Sequence, residues 1–383
     1  MLKRNVYLDH NATTPVASSV RKTMNRVLKY YWGNPSTGYQ KGKNAQQIIE
    51  KARDQVAQSI NAHAHEIYFT SCATESNNSI LKTLAQHFYP SKRKIITTPI
   101  EHSSVLKTLD YLKNQGIIVE FCSVDQNGFI SISELEGLID DDTFLVCCML
   151  ANNEIGTIQN LKEISEITKK RDILLMSDCV QAFGKIPIDV KELGLDYATF
   201  SAHKLYGPKG VGAIYAKISA PLSSFIHGGG QEEGIRGGTE SVHNIAGFGK
   251  ACQSVPDLLS HLQKTQTLRD HFLKLLKDIK SDIVVNSPLD NGLMNTLNIS
   301  FPGIKSKELM MMLDYHGISV SSGSACSTHS PKPSHVLKAI GLNDQQIFET
   351  VRISFGINTT ISDLNYTIKT IKKFISDTQL NSQ

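Results

Sequence analysis

Residues 197–216 read YATFSAHKLYGPKGVGAIYA. Two apolar segments, YATF at 197–200 and VGAIYA at 211–216, flank a turn that is rich in serine, histidine and glycine. Such segments are typical of buried strands, so the turn is predicted to join two strands of one sheet. Lys204 lies in that turn, at a strand end, where its amine suits a Schiff base to a carbonyl cofactor. Taken alone, a solvated loop lysine is the commoner interpretation of such a residue.

The chain before residue 197 alternates short β-branched runs with amphipathic helical stretches. This alternation predicts a parallel α/β sheet with helices on both faces. Capping residues Thr, Ser, Asn or Pro are expected to open each helix. The predicted strands are IYFTS (67–71), KIITTP (94–99), FLVCCML (144–150) and ILLMSD (173–178), and the predicted helices cover 15–31, 39–60, 75–87 and 161–171.

The pattern changes at about residue 250. A long charged helix is predicted over 258–280, followed by the strands LNISFPG and ISVSSGS and by further helices. Because 383 residues exceed what one hydrophobic core organises, we predict two domains. The larger covers 15–250, and a smaller α+β domain combines 1–14 with 251–383. The glycine-rich stretch HGGGQEEGIRGGTE (227–240) has the composition of a functional loop.

Composition narrows the class of function. The net charge of +4 comes from 40 Lys and Arg against 36 Asp and Glu, without blocks of like charge that would suit nucleic acid. The N-terminal residues lack an apolar signal region and no apolar run approaches the roughly 18 residues of a membrane span, so a soluble cytoplasmic protein is expected. Seven cysteines without a CxxC pair predict reduced thiols and no metal site.

Asp178 ends the apolar run ILLMS and should lie at the carboxyl edge of the sheet, where α/β proteins bind ligands. A carboxylate there can pair with the pyridinium nitrogen of pyridoxal phosphate, which makes that ring an electron sink. A helix N-cap is the alternative interpretation of Asp178.

The turn FTSCATESNN (69–78) offers hydroxyls at Ser71 and Thr74 beside the start of a predicted helix. Backbone amides at a helix start bind phosphate, so this turn is a candidate anion site. An ordinary capping turn that uses Glu75 remains the alternative.

Cys326 lies in SSGSACSTH (321–329), a stretch of small and polar residues without aliphatic neighbours. An exposed loop cysteine is a candidate nucleophile. Cys147 and Cys148, inside FLVCCML, are instead predicted to be core residues, because free cysteine packs as a small hydrophobe.

These segments, in this order, resemble the fold-type I, class V aminotransferase superfamily, and specifically its NifS/IscS-type cysteine desulfurases. The resemblance runs nearly end to end. It implies a large domain with a mostly parallel seven-stranded sheet, a smaller C-terminal α+β domain, and pyridoxal 5′-phosphate as cofactor. The motifs that carry it are YLDHNATTP (7–15), GNPSTGYQKG (33–42), TSCATESNN (70–78), EHSSV (101–105), NNEIGTIQ (152–159), DCVQ (178–181), SAHKLYGPKGVG (201–212), GGGQEEGIRGGTE (228–240), SSGSAC (321–326) and RISFG (352–356).

By this resemblance Lys204 forms the Schiff base, Asp178 pairs with the pyridinium nitrogen, and His102 stacks on the ring and assists proton transfer. Arg352 would clamp the substrate carboxylate, as a planar guanidinium suits. The remaining implied ligands are Asn153 and Gln181 near the cofactor's phenolic oxygen, Ala73, Thr74, Ser201 and His203 at its phosphate, Thr239 of the partner subunit in a homodimer, and Asn34 and Asn153 in support of the substrate.

The implied reaction takes sulfur from L-cysteine onto Cys326 as a persulfide and leaves L-alanine. The spacing after Cys326 resembles the longer-loop NifS/IscS group, whose sulfur acceptors are an IscU-like iron–sulfur scaffold and tRNA-thiolating enzymes; the persulfide would meet an iron–sulfur cluster during transfer. A selenocysteine lyase, an aminotransferase or a catalytically silent sulfur carrier are the alternatives. Departures from the usual pattern are Cys72, Tyr39 and Ser241.

Overall fold

The computed structural model describes residues 4–279, 282–322 and 332–380. Its strands are β1 (Val6–Tyr7), β2 (Ile67–Thr70), β3 (Lys94–Thr97), β4 (Ile118–Phe121), β5 (Thr143–Cys147), β6 (Leu174–Asp178), β7 (Tyr197–Ser201), β8 (Gly212–Ala216), β9 (Val284–Val285), β10 (Thr296–Ser300), β11 (Ile318–Ser319) and β12 (Thr350–Ser354). Its α-helices are α1 (Ser18–Tyr30), α2 (Gln40–Gln58), α3 (Ala73–Phe88), α4 (Ser103–Lys113), α5 (Ile132–Leu138), α6 (Leu161–Lys170), α7 (Val242–Cys252), α8 (Val255–Ser260), α9 (Leu262–Lys277), α10 (Ser306–Tyr315), α11 (His335–Ala339), α12 (Asp344–Phe348) and α13 (Ile361–Leu380).

The central sheet has seven strands in the order β2-β8-β7-β6-β5-β3-β4. The pairs from β7 to β4 are parallel, whereas β8 runs antiparallel to both β2 and β7. Strands β5, β7 and β8 are buried at every residue, as expected for a sheet covered on both faces. The predicted mostly parallel seven-stranded sheet is confirmed.

Successive residues of the strands pack into different hydrophobic clusters, because side chains alternate between the faces of a sheet. Ile95 and Cys147 pack with α3 and α4 on one face. Ile96 and Cys148 pack with α1, α2, α6 and α7 on the other. Both cysteines are completely buried, which confirms the prediction that they are core residues.

A further core joins the two ends of the chain. It contains Val6 and Leu8 together with apolar residues of α9, β10, α10, β12 and α13. The division into 15–250 and a smaller unit of 1–14 with 251–383 stays a proposal. No described helix is long and apolar enough to span a bilayer.

Two local predictions are wrong. The single helix expected over 258–280 is divided between two helices. The first, α8, ends at Ser260; His261 separates it from α9, which begins at Leu262. The Nδ1 atom of His261 lies 2.7 Å from the carbonyl oxygen of Asp257.

The expected side-chain caps are also missing: α1, α2 and α3 begin after Ala17, Tyr39 and Cys72 without a cap hydrogen bond. Tertiary contacts fix such starts instead, as where the Ala17 amide donates to the Tyr206 carbonyl at 2.9 Å.

A buried ion pair holds the glycine-rich loop 227–240 against the sheet. Glu232 accepts hydrogen bonds from both terminal nitrogens of Arg53, at 2.7 and 2.9 Å, and from the Phe69 amide at 2.8 Å. Glu232 and Glu233 have φ values of 47° and 56°, a left-handed conformation that is unfavourable without glycine. The ion pair therefore offsets local strain and fixes the loop.

Replacing Arg53 by Met should lower the free energy of unfolding by about 3–5 kcal/mol, because the Glu232 carboxylate would stay buried without its partner. The two side chains are only 11% and 2% exposed. The matched control is Lys107→Met, whose pair with Asp110 is 81% and 55% exposed and should contribute at most about 1 kcal/mol. Urea unfolding of the wild type and the two variants measures both losses in the free energy of unfolding. Equal unfolding midpoints for Arg53→Met and Lys107→Met would contradict this account of the loop.

Candidate active site

One cavity of about 350 Å³ lies where β6 and β7 end and where α3 and α4 begin. It lies at the carboxyl edge of the parallel strands, the usual ligand site of such sheets. Ten of the predicted site residues line it: Ala73, Thr74, His102, Asn153, Asp178, Gln181, Ser201, His203, Lys204 and Arg352.

Two predicted residues that the structure describes do not line this cavity. Asn34 is exposed, and its Oδ1 accepts a hydrogen bond from the Ser36 amide at 3.0 Å. Thr239 is also exposed and lines a separate cavity of about 140 Å³ together with Ser71 and Arg236. Cys326 lies outside the described residues.

Lys204 ends a single 3-10 turn, residues 202–204, that follows β7 directly. Its Nζ donates to the carbonyl oxygens of Asn11 at 2.5 Å and Ala12 at 2.7 Å. Thr14 secures the same turn, since its hydroxyl donates to the His203 carbonyl at 2.9 Å. The N-terminal segment thus fixes the position of the Lys204 amine, a role that the sequence analysis did not assign to it.

Asp178 is the last residue of β6 and is 4% exposed. Its carboxylate accepts from Asn77 Nδ2 at 3.0 Å and from the Val180 amide at 3.0 Å. Thr199 in turn orients Asn77 by donating to its Oδ1 at 2.8 Å. No described helix begins at Asp178, so the N-cap interpretation is wrong; Asn77, which the sequence analysis missed, holds the carboxylate in place.

His102 is the N-cap of α4, and its Nδ1 accepts from the Ser104 amide at 3.2 Å. A neutral imidazole whose Nδ1 accepts carries its hydrogen on Nε2. Burial lowers the pKa of His102; the nearby charge of Asp178 opposes that shift, while Lys204 and His335 add to it. The ring is therefore held in the neutral form beside the Asp178 carboxylate.

The start of α3 is a candidate anion site. Cys72 provides no side-chain cap, so backbone amides of the first turn lack helical acceptors. Cys72 and Thr74 line the cavity together with Ser201 and His203. Glu75 does not line it, and its carboxylate accepts from the Ser71 amide at 3.0 Å and from Arg236 Nε at 2.9 Å. Amides and hydroxyls at a helix start favour a phosphate group.

Arg352 forms a second candidate anion site in the same cavity, which it lines. The residue is 3% exposed, and its two terminal nitrogens donate to Asp9 Oδ1 at 2.7 Å and to the Asn153 carbonyl at 3.0 Å. Its Nε is buried and has no hydrogen-bond partner among the described residues. A planar guanidinium in the wall of a cavity favours an anionic ligand such as a carboxylate.

The residues that flank the segment carrying Cys326 bond to residues that line this cavity or that are next in sequence to them. On one side, Ser321 and Arg352 exchange two backbone hydrogen bonds of 2.6 and 3.2 Å. On the other side, the Ser334 hydroxyl donates to Glu154 at 2.6 Å and His335 Nε2 lies 2.9 Å from the Glu101 carbonyl. Both ends of segment 322–333 are therefore fixed close to the site.

Comparison with known proteins identifies the family. The family model for aminotransferase class V matches residues 6–366. The chain belongs to the class V aminotransferase family. The cysteine desulfurase IscS of Dictyoglomus turgidum is 40% identical, over 98% of this chain and 95% of that protein. The solved structure of a NifS-like protein is 41% identical with a TM-score of 0.92, over 97% of this chain and all of that one. Within its family the chain is thus of the NifS/IscS type, as the sequence motifs predicted.

The site of this class V family member combines a primary amine, a buried carboxylate, a neutral imidazole and two candidate anion sites. An amine near a neutral imidazole can form a Schiff base and exchange protons.

The imidazole of His102 should titrate below the usual value of 6.5, since burial lowers its pKa by disfavouring the protonated form. NMR of the histidine ring protons against pH measures this, with the His102→Gln variant to assign the signal. A His102 signal that titrates at or above 6.5 would contradict the neutral form assigned here.

Proposed function

We propose that this chain is a cysteine desulfurase, which removes the sulfur of L-cysteine, releases L-alanine and keeps the sulfur as a persulfide on Cys326. Full-length similarity to IscS proteins supports this activity. A structural relative that is 36% identical, with a TM-score of 0.83, has been solved as SspA in complex with cysteine. The observation that carries the proposal is that Arg352, whose guanidinium suits a carboxylate, lines the same cavity as Lys204.

Pyridoxal 5′-phosphate is the cofactor that we propose, and the residues present fit it. The cavity of about 350 Å³ suits a small ligand, since such sites usually measure about 300–1,000 Å³. When bound, the cofactor supplies a carbonyl carbon for an amine and a ring that accepts electrons. Lys204 would bind the carbonyl carbon, Asp178 the ring nitrogen, and the start of α3 with Thr74, Ser201 and His203 the phosphate. Gln181, Asn153 and the His102 ring would border the rest.

Arg352 would bind the substrate carboxylate with its guanidinium. Asp9 and the Asn153 carbonyl hold the two terminal nitrogens, so the side chain is oriented before substrate arrives. Such preorganisation reduces the entropy lost on binding. Substrate would therefore be fixed at its carboxylate, with the α-carbon directed toward Lys204 and His102.

Lys204 and His102 would move the proton of the substrate α-carbon. The Lys204 amine is held by two main-chain carbonyl oxygens, and the neutral His102 ring carries its hydrogen on Nε2. A base of this kind is effective when its pKa lies near the working pH. The lowered pKa of His102 keeps the ring neutral at neutral pH with Nε2 as a donor, so the Lys204 amine would accept the proton and His102 would assist the transfer.

Cys326 would then attack the substrate sulfur as a thiolate. The new S–S bond forms as the carbon–sulfur bond breaks; the electron pair of that bond returns to carbon, which takes up a proton and becomes alanine. Cys326 follows Ser321 by five residues, a reach of at most about 18 Å from the backbone beside Arg352. The persulfide stores sulfur between extraction and delivery.

The remaining proposals rest on resemblance to the family. We propose a homodimer in which Thr239 of the partner subunit completes the phosphate site; its exposure in the described chain is compatible with that role. We also propose Asn34 as a supporting substrate residue, and an IscU-like scaffold and a tRNA-thiolating enzyme as acceptors, working in the cytoplasm. The relatives named above do not favour the aminotransferase or selenocysteine lyase alternatives.

Alanine and protein-bound persulfide formed from L-cysteine test the activity. Wild type should make both, with sulfide released by an added reductant. Cys326→Ala should make neither yet keep the visible absorption of bound cofactor, and Lys204→Ala should lose that absorption. Mass spectrometry locates the persulfide.

The matched control is Cys72→Ala, because Cys72 is a half-buried thiol that lines the same cavity. This variant should still form the persulfide at Cys326. Persulfide on Cys72 in the wild type, or full activity of Cys326→Ala, would contradict the proposed route of sulfur.

Arg352→Gln should raise the KM for L-cysteine by on the order of a hundredfold, since truncating one partner of a buried charge pair costs about 2–5 kcal/mol. Steady-state alanine formation measures KM and kcat separately. Lys305→Gln, a change at a side chain that is 78% exposed, should match the wild type. An unchanged KM in Arg352→Gln would remove Arg352 from the substrate site.

A further inference from the structure

A buried glutamate that the proposed mechanism does not use lies beside two residues of the substrate cavity. Glu101 directly precedes His102 in the turn between β3 and α4, and it is 0% exposed. One carboxyl oxygen, Oε1, accepts from the Thr98 hydroxyl and from the Met149 amide, both at 2.8 Å. The other oxygen, Oε2, is buried and has no hydrogen-bond partner among the described residues.

The Glu101 side chain joins two turns that contribute to the cavity wall. The turn after β3 carries His102, and the turn after β5 carries Met149, the residue whose amide Glu101 binds. Asn152 joins the same two turns, since its Nδ2 donates to the Ile100 carbonyl at 2.9 Å. The place of the His102 ring in the cavity therefore depends on these contacts.

The surroundings of Glu101 favour its neutral form. Both donors to Oε1 are uncharged, and a carboxylate buried without a cation is very costly. Burial raises the pKa of Glu101 to about 8; the bonds from Met149 and Thr98 oppose that shift, and the nearby charge of Asp178 adds to it. A protonated carboxyl group keeps Oε1 as the acceptor of both bonds and carries its hydrogen on Oε2. An O–H without an acceptor costs less than a buried charge without a partner.

The titratable groups that face Glu101 belong to its own turn and to β5, β6 and α11. They are His102, Cys147, Cys148, Asp178 and His335, the last with its Nε2 2.9 Å from the Glu101 carbonyl. Burial holds both thiols neutral by raising their pKa well above the usual value, and burial also lowers the pKa of His102. With Glu101 neutral, Asp178 is the only carboxylate of this set that carries a negative charge.

We propose that Glu101 is a positioning residue that acts as a neutral carboxylic acid: it holds the turn of His102 against the turn of Met149 and adds no second negative charge beside Asp178. The inference rests on the proposed function in one respect, that His102 and Asp178 act in the reaction. A neutral acid can be replaced by glutamine, which has the same shape, keeps Oε1 as an acceptor and carries no charge. Methionine has a similar length but offers no oxygen to the two donors.

Infrared spectroscopy of the purified protein tests the protonation without any measure of activity. The carbonyl stretch of a protonated carboxyl group is separate from the bands of a carboxylate, so the difference between wild type and Glu101→Gln isolates this one group. Near pH 6 the wild type should show a protonated-carboxyl band that Glu101→Gln lacks, and the band should disappear as the pH rises through about 8. A wild type without this band, or a band that Glu101→Gln retains, would overturn the proposal.

Two further variants sharpen the infrared test. Glu308→Gln is the matched control, because its side chain is 57% exposed, and it should retain the wild-type band. Thr98→Val removes a donor that lowers the pKa of Glu101, so in this variant the band should persist to higher pH than in the wild type. A band that Glu308→Gln loses would show that the signal does not come from Glu101.

The NMR signal of the His102 ring tests the positioning. Glu101→Gln should keep the wild-type titration midpoint, whereas in Glu101→Met the midpoint should rise toward 6.5, because release of the turn lets water reach the ring. A wild-type midpoint in Glu101→Met, or equal shifts in the two variants, would overturn the proposal. If Glu101→Met is not folded by circular dichroism, Thr98→Val takes its place, since it breaks one of the two bonds to Oε1 and should move the midpoint in the same direction.

The same proteins keep this test distinct from the test of the activity. The expected band and midpoints, in a wild type that makes no alanine from L-cysteine, would retain the role of Glu101 and reject the desulfurase. A wild type that makes alanine but lacks the band would do the reverse.

Discussion

The hydrogen bonds of Asn11 are the constraint on which the site depends. Its backbone carbonyl receives Lys204 and Gln181, its side-chain oxygen receives Lys185 and Asn295, and its side-chain nitrogen donates to Thr296. One residue near the N-terminus therefore connects the turn after β7, the turn after β6 and the start of β10. Displacing any of these three elements would leave buried polar atoms without partners, which is costly.

This constraint explains how two hydrophobic cores meet around one cavity. Val6 and Leu8 pack into the core formed by the C-terminal elements, while Thr14 bonds to the His203 carbonyl beside the large sheet. The segment between them crosses from one core to the other. Asp9 and Asn11, in the crossing segment, orient the groups that would hold substrate and cofactor. The position of the cavity follows from this crossing rather than from either core alone.

The sequence could predict those features that depend on local pattern. Strand ends were predictable because apolar runs stop where polar residues begin, and this placed Asp178 and Lys204 at the carboxyl edge of the sheet. Motif resemblance placed Arg352 and His102. The start of the helix after 258 and the helix caps could not be predicted from local propensity, since backbone contacts from distant segments fix them. Asn77 orients Asp178, which lies 101 positions further along the chain. Nothing in the sequence around Asn77, beyond its place near the start of a helix, predicted this contact.

The ion pair between Asp9 and Arg352 joins residues that are 343 positions apart. During synthesis on the ribosome, Asp9 emerges before Lys204, and both emerge well before Arg352, with which Asp9 pairs. A nascent polypeptide can therefore form its central sheet, which lies within the first 216 residues, while Arg352, the residue proposed to bind substrate, is still absent. A translation product that ends before Arg352 would contain Lys204 without that guanidinium, so the proposed catalyst is assembled only after the C-terminal elements have been made.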